Sequence, residues 1–231
     1  MSQPRIVIAI DGPAASGKSS TAKQVARQMD YLYIDTGAMY RAVTLLALQN
    51  NVDLHDTDLL MDIAGRAEIE FVSTDDGMHL LLNGVDVSEE IRTTQVTNSI
   101  KPIAANPAVR EILVEKQRLL GANGGVVMDG RDIATVVFPD AELKIYMEAS
   151  AEARAKRRLR ELLNKEHNAT YEAILRELIA RDESDMNRAA GPLKRDADAV
   201  LIDTTELTLS QQVAKIVSLA RGVIRKLSKT N

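Results

Sequence analysis

The residues with the clearest chemical potential are those of the pattern G-x-x-x-x-G-K-S, which runs from Gly12 to Ser19. The apolar, β-branched run at residues 6–11 comes directly before it and predicts a buried strand. Residues 21–29 follow and predict a helix. Strand, glycine-rich loop and helix in this order are the context of a phosphate-binding P-loop. We therefore predict that this loop binds the phosphates of a nucleotide.

The residue types of the loop suit a phosphate chain that is held away from water. Gly12 and Gly17 allow a tight turn and a close approach of the backbone to an anion. Successive N–H groups then form an anion-binding concavity at the positive end of the following helix. Lys18 adds a charge near the β- and γ-phosphates, and the Ser19 hydroxyl can ligate the Mg²⁺ that accompanies ATP. The predicted ATP contacts are Gly12, Pro13, Ala14, Ala15, Ser16, Gly17, Lys18, Ser19 and Ser20.

A second predicted strand, residues 31–35, leads into a turn and then a helix over residues 40–49. In open α/β sheets, ligands bind at the carboxyl ends of the strands. We therefore expect Thr36 and Arg41 to lie near a bound substrate.

A third predicted strand lies within residues 125–132 and ends in Asp-Gly-Arg-Asp. An apolar strand that ends in a carboxylate resembles a Walker B segment. Asp129 fits the position beside the metal ion, either directly or through water. Arg131 and Asp132 are then expected in the same cleft.

The helix predicted over residues 151–165 contains a dense group of basic side chains. One interpretation is a solvated helix face, which Glu161 and Glu166 favour. The other is a mobile arm that closes over the triphosphate, with Arg157 or Arg158 as the contact.

A second charged helix is predicted over residues 170–184. Arg181, Asp185 and Arg188 are spaced four and three residues apart, which places them on one face if the helix continues. The face either forms internal ion pairs or faces a nucleotide.

The remaining pattern predicts an α/β fold with an insertion. Further strands are expected at residues 143–147 and 199–203, and a closing helix at 208–227. Short antiparallel strands are expected at residues 69–72, 79–82 and 85–87, with turns at Asp75-Asp76-Gly77 and Asn83-Gly84. We therefore expect a five-stranded parallel sheet flanked by helices, with a small antiparallel β/α insertion at about residues 63–100.

Composition argues against several classes of protein. The chain has 231 residues and a formal net charge of −4, which argues against nonspecific binding of nucleic acid as the main task. It has no cysteine, no apolar run of about 18 residues and no apparent signal peptide, so we expect a cytoplasmic protein without membrane association. No exposed apolar stripe is evident, which favours a monomer. The histidines, His55, His79 and His167, are interpreted as surface or loop residues.

Motif by motif, the chain resembles the bacterial cytidylate kinase family. The P-loop marks only a superfamily, whereas the combination of residues 35–41 with residues 129–132 is specific to the family. The resemblance covers nearly the whole chain, including the inserted β piece. The matching segments are Asp11-Gly12-Pro13 with the P-loop, residues 35–41, 129–132 and 137–141, Arg181-Asp182 and Asn187-Arg188.

This resemblance implies the reaction ATP + CMP ⇌ ADP + CDP, with dCMP also accepted and Mg²⁺ assisting. It also implies a core of residues 1–62 and 101–231, an NMP-binding insert at about 63–100 and a short helical lid at about 151–186. The residues expected to act in phosphoryl transfer are Lys18, Asp129, Arg131, Arg157 and Arg158.

By the same resemblance, Arg41 and Arg131 hold the CMP phosphate. The implied readers of the cytosine edge or its surroundings are Thr36, Arg110, Asp132 and Arg188, and the implied contacts to ribose and the neighbouring phosphate are Arg181 and Asp185. Thr36 stands where many relatives have Ser, and the hydroxyl is kept. Lys101 stands where the resemblance leads us to expect a small hydroxyl residue that contacts ribose.

Two other interpretations stay open on sequence grounds. One is a kinase for another small acceptor, such as UMP or shikimate. Asp132 separates these, because a carboxylate accepts a hydrogen bond from the amino group of cytosine, whereas uracil has a carbonyl there. The other is a nucleotide switch like a small GTPase, but the chain has no Asn-Lys-x-Asp motif.

Overall fold

A five-stranded parallel sheet forms the centre of the computed structural model, which describes residues 4–74, 77–163 and 169–230. With strands numbered in chain order, its spatial order is β2 (Leu32–Asp35), β6 (Val126–Gly130), β1 (Val7–Asp11), β7 (Leu143–Glu148) and β8 (Val200–Asp203). All neighbouring pairs are parallel. The predicted α/β fold and its five parallel strands are confirmed.

The register of the sheet brings three predicted strand ends together. Asp11 of β1 pairs with Gly130 of β6, and Asp35 of β2 pairs with Asp129. Every residue of β1 and β6 is buried, as expected for strands covered by helices on both faces. The P-loop, the turn after Asp35 and the segment after Asp129 therefore leave the sheet at one edge.

Helices cover both faces of this sheet and pack through apolar side chains. One cluster joins the sheet to residues such as Met39, Val43 and Leu113, and the other joins it to residues such as Val25 and Ile216. The helices are α1 (Lys18–Met29), α2 (Thr36–Gln49), α3 (Thr57–Arg66), α4 (Thr94–Ala105), α5 (Pro107–Gly121), α6 (Ala151–Leu163), α7 (Tyr171–Asn187) and α8 (Leu209–Thr230).

A separate antiparallel sheet is inserted between α3 and α4. Its strands are β3 (Ile69–Thr74), β4 (Gly77–Leu82) and β5 (Val85–Asp86), in that spatial order. The predicted turn at Asn83-Gly84 is confirmed, and both residues have positive φ angles of 52° and 78°. In the other predicted turn, residues 75 and 76 lie outside the described residues. The proposed bounds of the insert stay a prediction.

Local capping explains where helices differ from the sequence-based expectation. α2 begins at Thr36 rather than at residue 40, because the Asp35 side chain accepts a hydrogen bond from the Ala38 N–H at 2.9 Å. α3 was not predicted, and Asp56 caps it in the same way through the Leu59 N–H. A short π-helix, Ile133–Val137, was not predicted either.

Within the described ranges, no helix is both long and apolar enough to cross a membrane.

Two of the histidines lie among the described residues. His79 lies in β4, where Nδ1 is 2.7 Å from a carboxylate oxygen of Asp86, and His55 lies in a loop. The interpretation of His167 lies outside the described residues.

Candidate active site

A cleft of about 680 Å³ opens at the edge where β1, β2 and β6 end. Its wall includes residues from the P-loop, from α2, from the insertion side and from α7. Nine cationic side chains and five carboxylates line it, so the cleft carries an excess of positive charge. This excess favours a ligand with several negative charges.

The backbone of the P-loop is shaped to surround an anion. Gly12, Ala15 and Gly17 have positive φ angles of 150°, 58° and 94°. A Cβ at Gly12 would lie 2.0 Å from the carbonyl oxygen of Met147, so only glycine fits between the loop and β7. α1 begins at Lys18 with no side-chain cap and no acidic residue in its first turn. Its first N–H groups are therefore available to a phosphate.

Two side chains of the loop, Lys18 and Ser16, are buried without an anionic partner among the residues that the structure describes. Lys18 is 5% exposed, and its Nζ donates to the Pro13 carbonyl oxygen at 2.8 Å. Burial, followed by repulsion from Arg131, lowers the pKa of Lys18 to about 7. Ser16 Oγ is buried and has no hydrogen-bond partner among the described residues. A bound phosphate supplies the negative charge and the acceptors that both groups lack.

The Asp129 carboxylate lies beside the P-loop and accepts two hydroxyl hydrogen bonds. Ser19 Oγ donates to Oδ2 at 2.8 Å, and Tyr33 Oη donates to Oδ1 at 2.7 Å. Burial, followed by the nearby Asp35 carboxylate, raises the pKa of Asp129. Burial raises the pKa of Tyr33 well above its usual value, so its phenol remains a donor.

The same oxygen atoms fit a hard cation. Mg²⁺ prefers oxygen ligands and is commonly held by one or two protein groups together with substrate phosphates and water. Ser19, Asp129 and Asp35 supply such oxygens in the cleft wall. In the part of the chain that the structure describes, no group of three or more His, Cys, Asp or Glu residues could hold a metal by itself. This donor set suits a metal that is shared with a nucleotide.

Arg41 lies on the first turns of α2 and faces the cleft. Its Nη2 is 2.8 Å from Asp35 Oδ2, and its Nε is buried without a hydrogen-bond partner among the described residues. Arg92 approaches the same oxygen of Asp35 at 3.8 Å from the insertion side. Two guanidinium groups therefore share one carboxylate, which leaves donors for an incoming anion.

Arg131, Arg181 and Asp185 form the middle of the cleft. Arg131 Nε donates to Asp185 Oδ2 at 2.7 Å, and both side chains are 19% exposed. Arg181 also lines the cleft, and burial followed by repulsion from Arg131 lowers its pKa. Two cations that repel each other beside one carboxylate are stabilised by a further anion.

Asp132 lies beyond them, between two arginines. It is 6% exposed and pairs closely with Arg110 Nη2, while Arg188 Nη2 is 3.4 Å from its other oxygen. Burial raises the pKa of Asp132, and the charges of Arg110 and then Arg188 oppose this. Gly191 permits the arrangement, because a Cβ there would lie 2.1 Å from Asp132 Oδ2. This end of the cleft is a rigid polar pocket.

Asp11, at the end of strand β1, connects the segment after Asp132 to the strand that precedes the P-loop. Its two oxygens accept hydrogen bonds from the N–H groups of Ile133 and Ala134, both at 2.8 Å. Full burial raises the pKa of Asp11 to about 7, although the two backbone hydrogen bonds oppose this. The start of the π-helix, and with it the preceding Asp132, is thereby fixed to the sheet.

The two lid arginines predicted to act in catalysis do not line the cleft. Arg157 donates to Thr204 Oγ1 at 3.1 Å and to the Ser16 carbonyl oxygen at 3.4 Å, behind the P-loop. Arg158 is 45% exposed and pairs with Glu161 at 3.2 Å, as the solvated-face interpretation expects. Both side chains have partners outside the cleft wall, and their catalytic role stays a prediction.

All residues predicted to contact CMP line one cleft, and so does Asp129, which is predicted to lie beside the metal ion. From the P-loop, Ala14, Ala15, Lys18, Ser19 and Ser20 lie in the wall, whereas Gly12, Pro13, Ser16 and Gly17 shape the loop from within. The members from other segments are Thr36, Arg41, Arg110, Asp129, Arg131, Asp132, Arg181, Asp185 and Arg188. Thr36 donates its hydroxyl to the Asp129 carbonyl oxygen at 2.8 Å.

Sequence reasoning missed several groups in or near this wall. Tyr33 and Arg92 carry no motif that marks them as site residues. Lys101, which the sequence singled out as unusual, lines the cleft from α4 and is exposed. Arg154 lies in the predicted basic helix but was not selected; it is buried, contacts the Ala14 carbonyl oxygen at 3.1 Å and pairs with Asp182 at 2.6 Å. The dense group of basic residues in α6 is the sequence feature that could have indicated a role for Arg154.

The central parallel sheet, the P-loop before α1 and the cationic cleft at the strand ends together define a P-loop kinase. A gluconokinase structure from Sinorhizobium meliloti 1021 has the same fold. It aligns with all of this chain, and all of that chain is covered, at a TM-score of 0.50 and 14% identity.

Sequence comparison identifies the family of P-loop kinases to which the chain belongs. The family model for cytidylate kinase matches residues 8–222, and the chain belongs to that family. It is 48% identical to the cytidylate kinase of Bacillus subtilis strain 168 over 93% of this chain and 96% of that one. It is 50% identical to that of Bacillus pumilus over 95% and 97%, and 49% identical to that of Bacillus cereus strain ATCC 10987 over 96% and 99%.

Proposed function

We propose that the protein transfers the γ-phosphoryl group of ATP to CMP, and also to dCMP, with the assistance of Mg²⁺. The observation that carries the proposal is that one cleft contains two different binding features. Its wall includes an anion-binding loop and a buried carboxylate between two arginines. Membership of the cytidylate kinase family supports the same conclusion.

The donor nucleotide binds at the P-loop in this proposal. The amide groups of the loop and the start of α1 surround the β- and γ-phosphates, and Lys18 moves its ammonium group from the Pro13 carbonyl oxygen to them. Burial disfavours the charged form of Lys18, and the negative phosphate oxygens then stabilise that charged form. Binding of ATP is thus favoured because its phosphates offset the cost of burying the Lys18 ammonium group.

The acceptor nucleotide binds between Arg41 and Asp132. Arg41 and Arg131 exchange their carboxylate partners for the CMP phosphate, and Arg forks suit the bidentate recognition of phosphate. Asp132 accepts a hydrogen bond from the exocyclic amino group of cytosine, while Arg110 and Arg188 supply donors for neighbouring acceptor atoms. Arg181 and Asp185, in the middle of the cleft, are suited to the ribose and the nearby phosphate.

Phosphoryl transfer requires alignment of the two nucleotides and neutralisation of charge on the transferred group. Arg131 lies close enough to Lys18 for mutual repulsion to lower the pKa of Lys18. The two cations therefore flank the position where the phosphates of donor and acceptor meet. When bound, Mg²⁺ neutralises charge on the β- and γ-phosphates. The Ser19 hydroxyl would ligate it, with Asp129 acting directly or through water.

We expect CMP to be phosphorylated about 10- to 100-fold more efficiently than UMP, as judged by kcat/KM. Uracil would place a carbonyl oxygen against the Asp132 carboxylate, and a buried acceptor left unpaired costs roughly 1–3 kcal/mol. The test is ADP release by the full chain with ATP, Mg²⁺ and, in turn, CMP, dCMP, UMP, AMP or shikimate. A reaction without acceptor measures ATP hydrolysis alone.

Activity with CMP and dCMP above that with UMP, AMP and shikimate supports the proposal. Equal rates with UMP and CMP would contradict the role of Asp132. Tight ATP binding without turnover of any acceptor would favour a nucleotide switch instead.

The expectation that the protein is a cytoplasmic monomer stays a prediction. Its support is that the exposed large apolar side chains of the described residues are spread over separate elements, including Leu59, Val85, Leu119 and Leu163. Light scattering on the purified chain would test the monomer.

A further inference from the structure

We propose that Tyr33 is a positioning residue for the metal-facing carboxylate, and that its hydroxyl sets how strongly Mg²⁺ enhances nucleotide binding. Tyr33 belongs to β2, and no P-loop motif includes it. The proposal rests on the proposed use of Mg²⁺ at Ser19 and Asp129. It does not depend on which acceptor the enzyme phosphorylates.

The first observation is that both oxygens of Asp129 are fixed by hydroxyl donors. Ser19 Oγ donates to Oδ2 at 2.8 Å, and Tyr33 Oη donates to Oδ1 at 2.7 Å. Asp129 is 4% exposed, so bulk water has little access to it. Two donors on opposite oxygens fix the rotation of a carboxylate, whereas one donor leaves it free to turn.

The second observation is that the orientation of Asp129 determines the orientation of Ser19. The Ser19 proton points to Asp129, which leaves only oxygen lone pairs directed elsewhere. A hydroxyl ligates a cation through those lone pairs, so its proton must have another acceptor. If Asp129 turned away, Ser19 would lose that acceptor.

The third observation is that Tyr33 is held firmly in place. It is 4% exposed, and its ring packs within the apolar cluster that also contains Val25 and Val127. Lys23 Nζ lies 6.0 Å from the ring centroid on the cleft side. A rigid ring delivers the hydroxyl at a fixed position, and partners of this kind, one step removed from a metal, typically change metal affinity by about 10–100-fold.

The neighbouring carboxylate of Asp35 explains why Asp129 needs a second hydrogen-bond donor. The Asp35 carboxylate lies next to Asp129 across the β2–β6 pair and repels it. Asp35 is itself held by Arg41 and by the Ala38 N–H. Without Tyr33, Asp129 would keep only Ser19 as a side-chain hydrogen-bond donor among the described residues, while still facing this repulsion.

The test compares ADP binding by the wild-type chain, Tyr33→Phe and Tyr31→Phe, each measured calorimetrically with saturating Mg²⁺ and with EDTA. Tyr31→Phe is the matched control, because it removes a hydroxyl that contacts the Ile6 N–H at 3.2 Å and does not line the cleft. We expect the enhancement of ADP affinity by Mg²⁺ to fall about tenfold in Tyr33→Phe and to stay at the wild-type value in Tyr31→Phe. Affinity in EDTA should be the same in all three.

An equal loss of affinity with and without Mg²⁺ would overturn the proposal, because it would show a purely structural role. An unchanged Mg²⁺ enhancement in Tyr33→Phe would overturn it as well. A second measurement does not rely on the variant folding: in the wild-type chain labelled with 3-fluorotyrosine, the Tyr33 resonance should shift when Mg²⁺ is added to the ADP complex, and an unmoved resonance would overturn the proposal. Failure of CMP phosphorylation would leave these binding results unaffected, so the two proposals are tested separately.

Discussion

Arg131→Ala is expected to lower kcat/KM for CMP by about 10³-fold or more, the range seen when an arginine that stabilises a transferred phosphoryl group is lost. Arg131 lines the cleft close enough to Lys18 to lower the pKa of that lysine, and we propose that it holds the acceptor phosphate there. Its Nε donates to Asp185 Oδ2 at 2.7 Å, which holds the guanidinium group in position. Steady-state ADP release with CMP as acceptor measures the effect.

Arg131→Lys refines this prediction, because it keeps the charge but loses the planar fork. We expect its activity to lie between that of the wild type and that of the alanine variant. Arg66→Ala is the matched control: Arg66 is 80% exposed on α3, where it pairs only with Asp62 among the described residues. Turnover close to wild type in Arg131→Ala would refute the assignment.

Lys18→Met is expected to lower kcat by about 10³-fold. This is the size of effect found when an enzyme loses one fixed hydrogen-bond donor that faces the negative charge of the transition state. Methionine keeps much of the length and apolar stem of lysine, so the loop can retain its shape. The thermal midpoint should stay the same or rise, because burial already disfavours the charged form of Lys18 and lowers its pKa to about 7. Activity and melting temperature are measured on the same preparation.

The control for this variant is Lys215→Met, since Lys215 is exposed on α8 and does not line the cleft. It should change neither activity nor melting temperature. Retained activity in Lys18→Met would contradict the account. A collapse of the fold in Lys18→Met would contradict the expectation for stability.

The P-loop, the five core strands and the residues at three strand ends could be predicted because their signals are local. A buried parallel strand is a short apolar run, and the next few residues then lie at a known edge of the sheet. That reasoning placed Thr36, Arg41 and Asp129 in one cleft without any knowledge of strand order. The residues of α7 entered through helical spacing and the family resemblance.

The remaining contacts depend on geometry that spacing does not determine. The basic run of α6 gave several equivalent candidates, and only the packing of α6 against the P-loop distinguishes Arg154, buried on the Ala14 carbonyl oxygen, from Arg157 and Arg158. Tyr33 was only an aromatic residue in a strand. Its contact with Asp129, 96 residues away in sequence, follows from the pairing of β2 with β6.

The central claim is that one nucleotide binds at the P-loop amides while arginines hold the phosphate of a second nucleotide in line with it. The most direct measurement is a crystal structure of the full chain with a bisubstrate analogue in which a polyphosphate joins adenosine to cytidine. We expect Arg41 and Arg131 to contact the cytidine-side phosphates at about 3 Å, with the cytosine amino group at Asp132. Phosphates that touch neither arginine, or a cytosine placed away from Asp132, would contradict it.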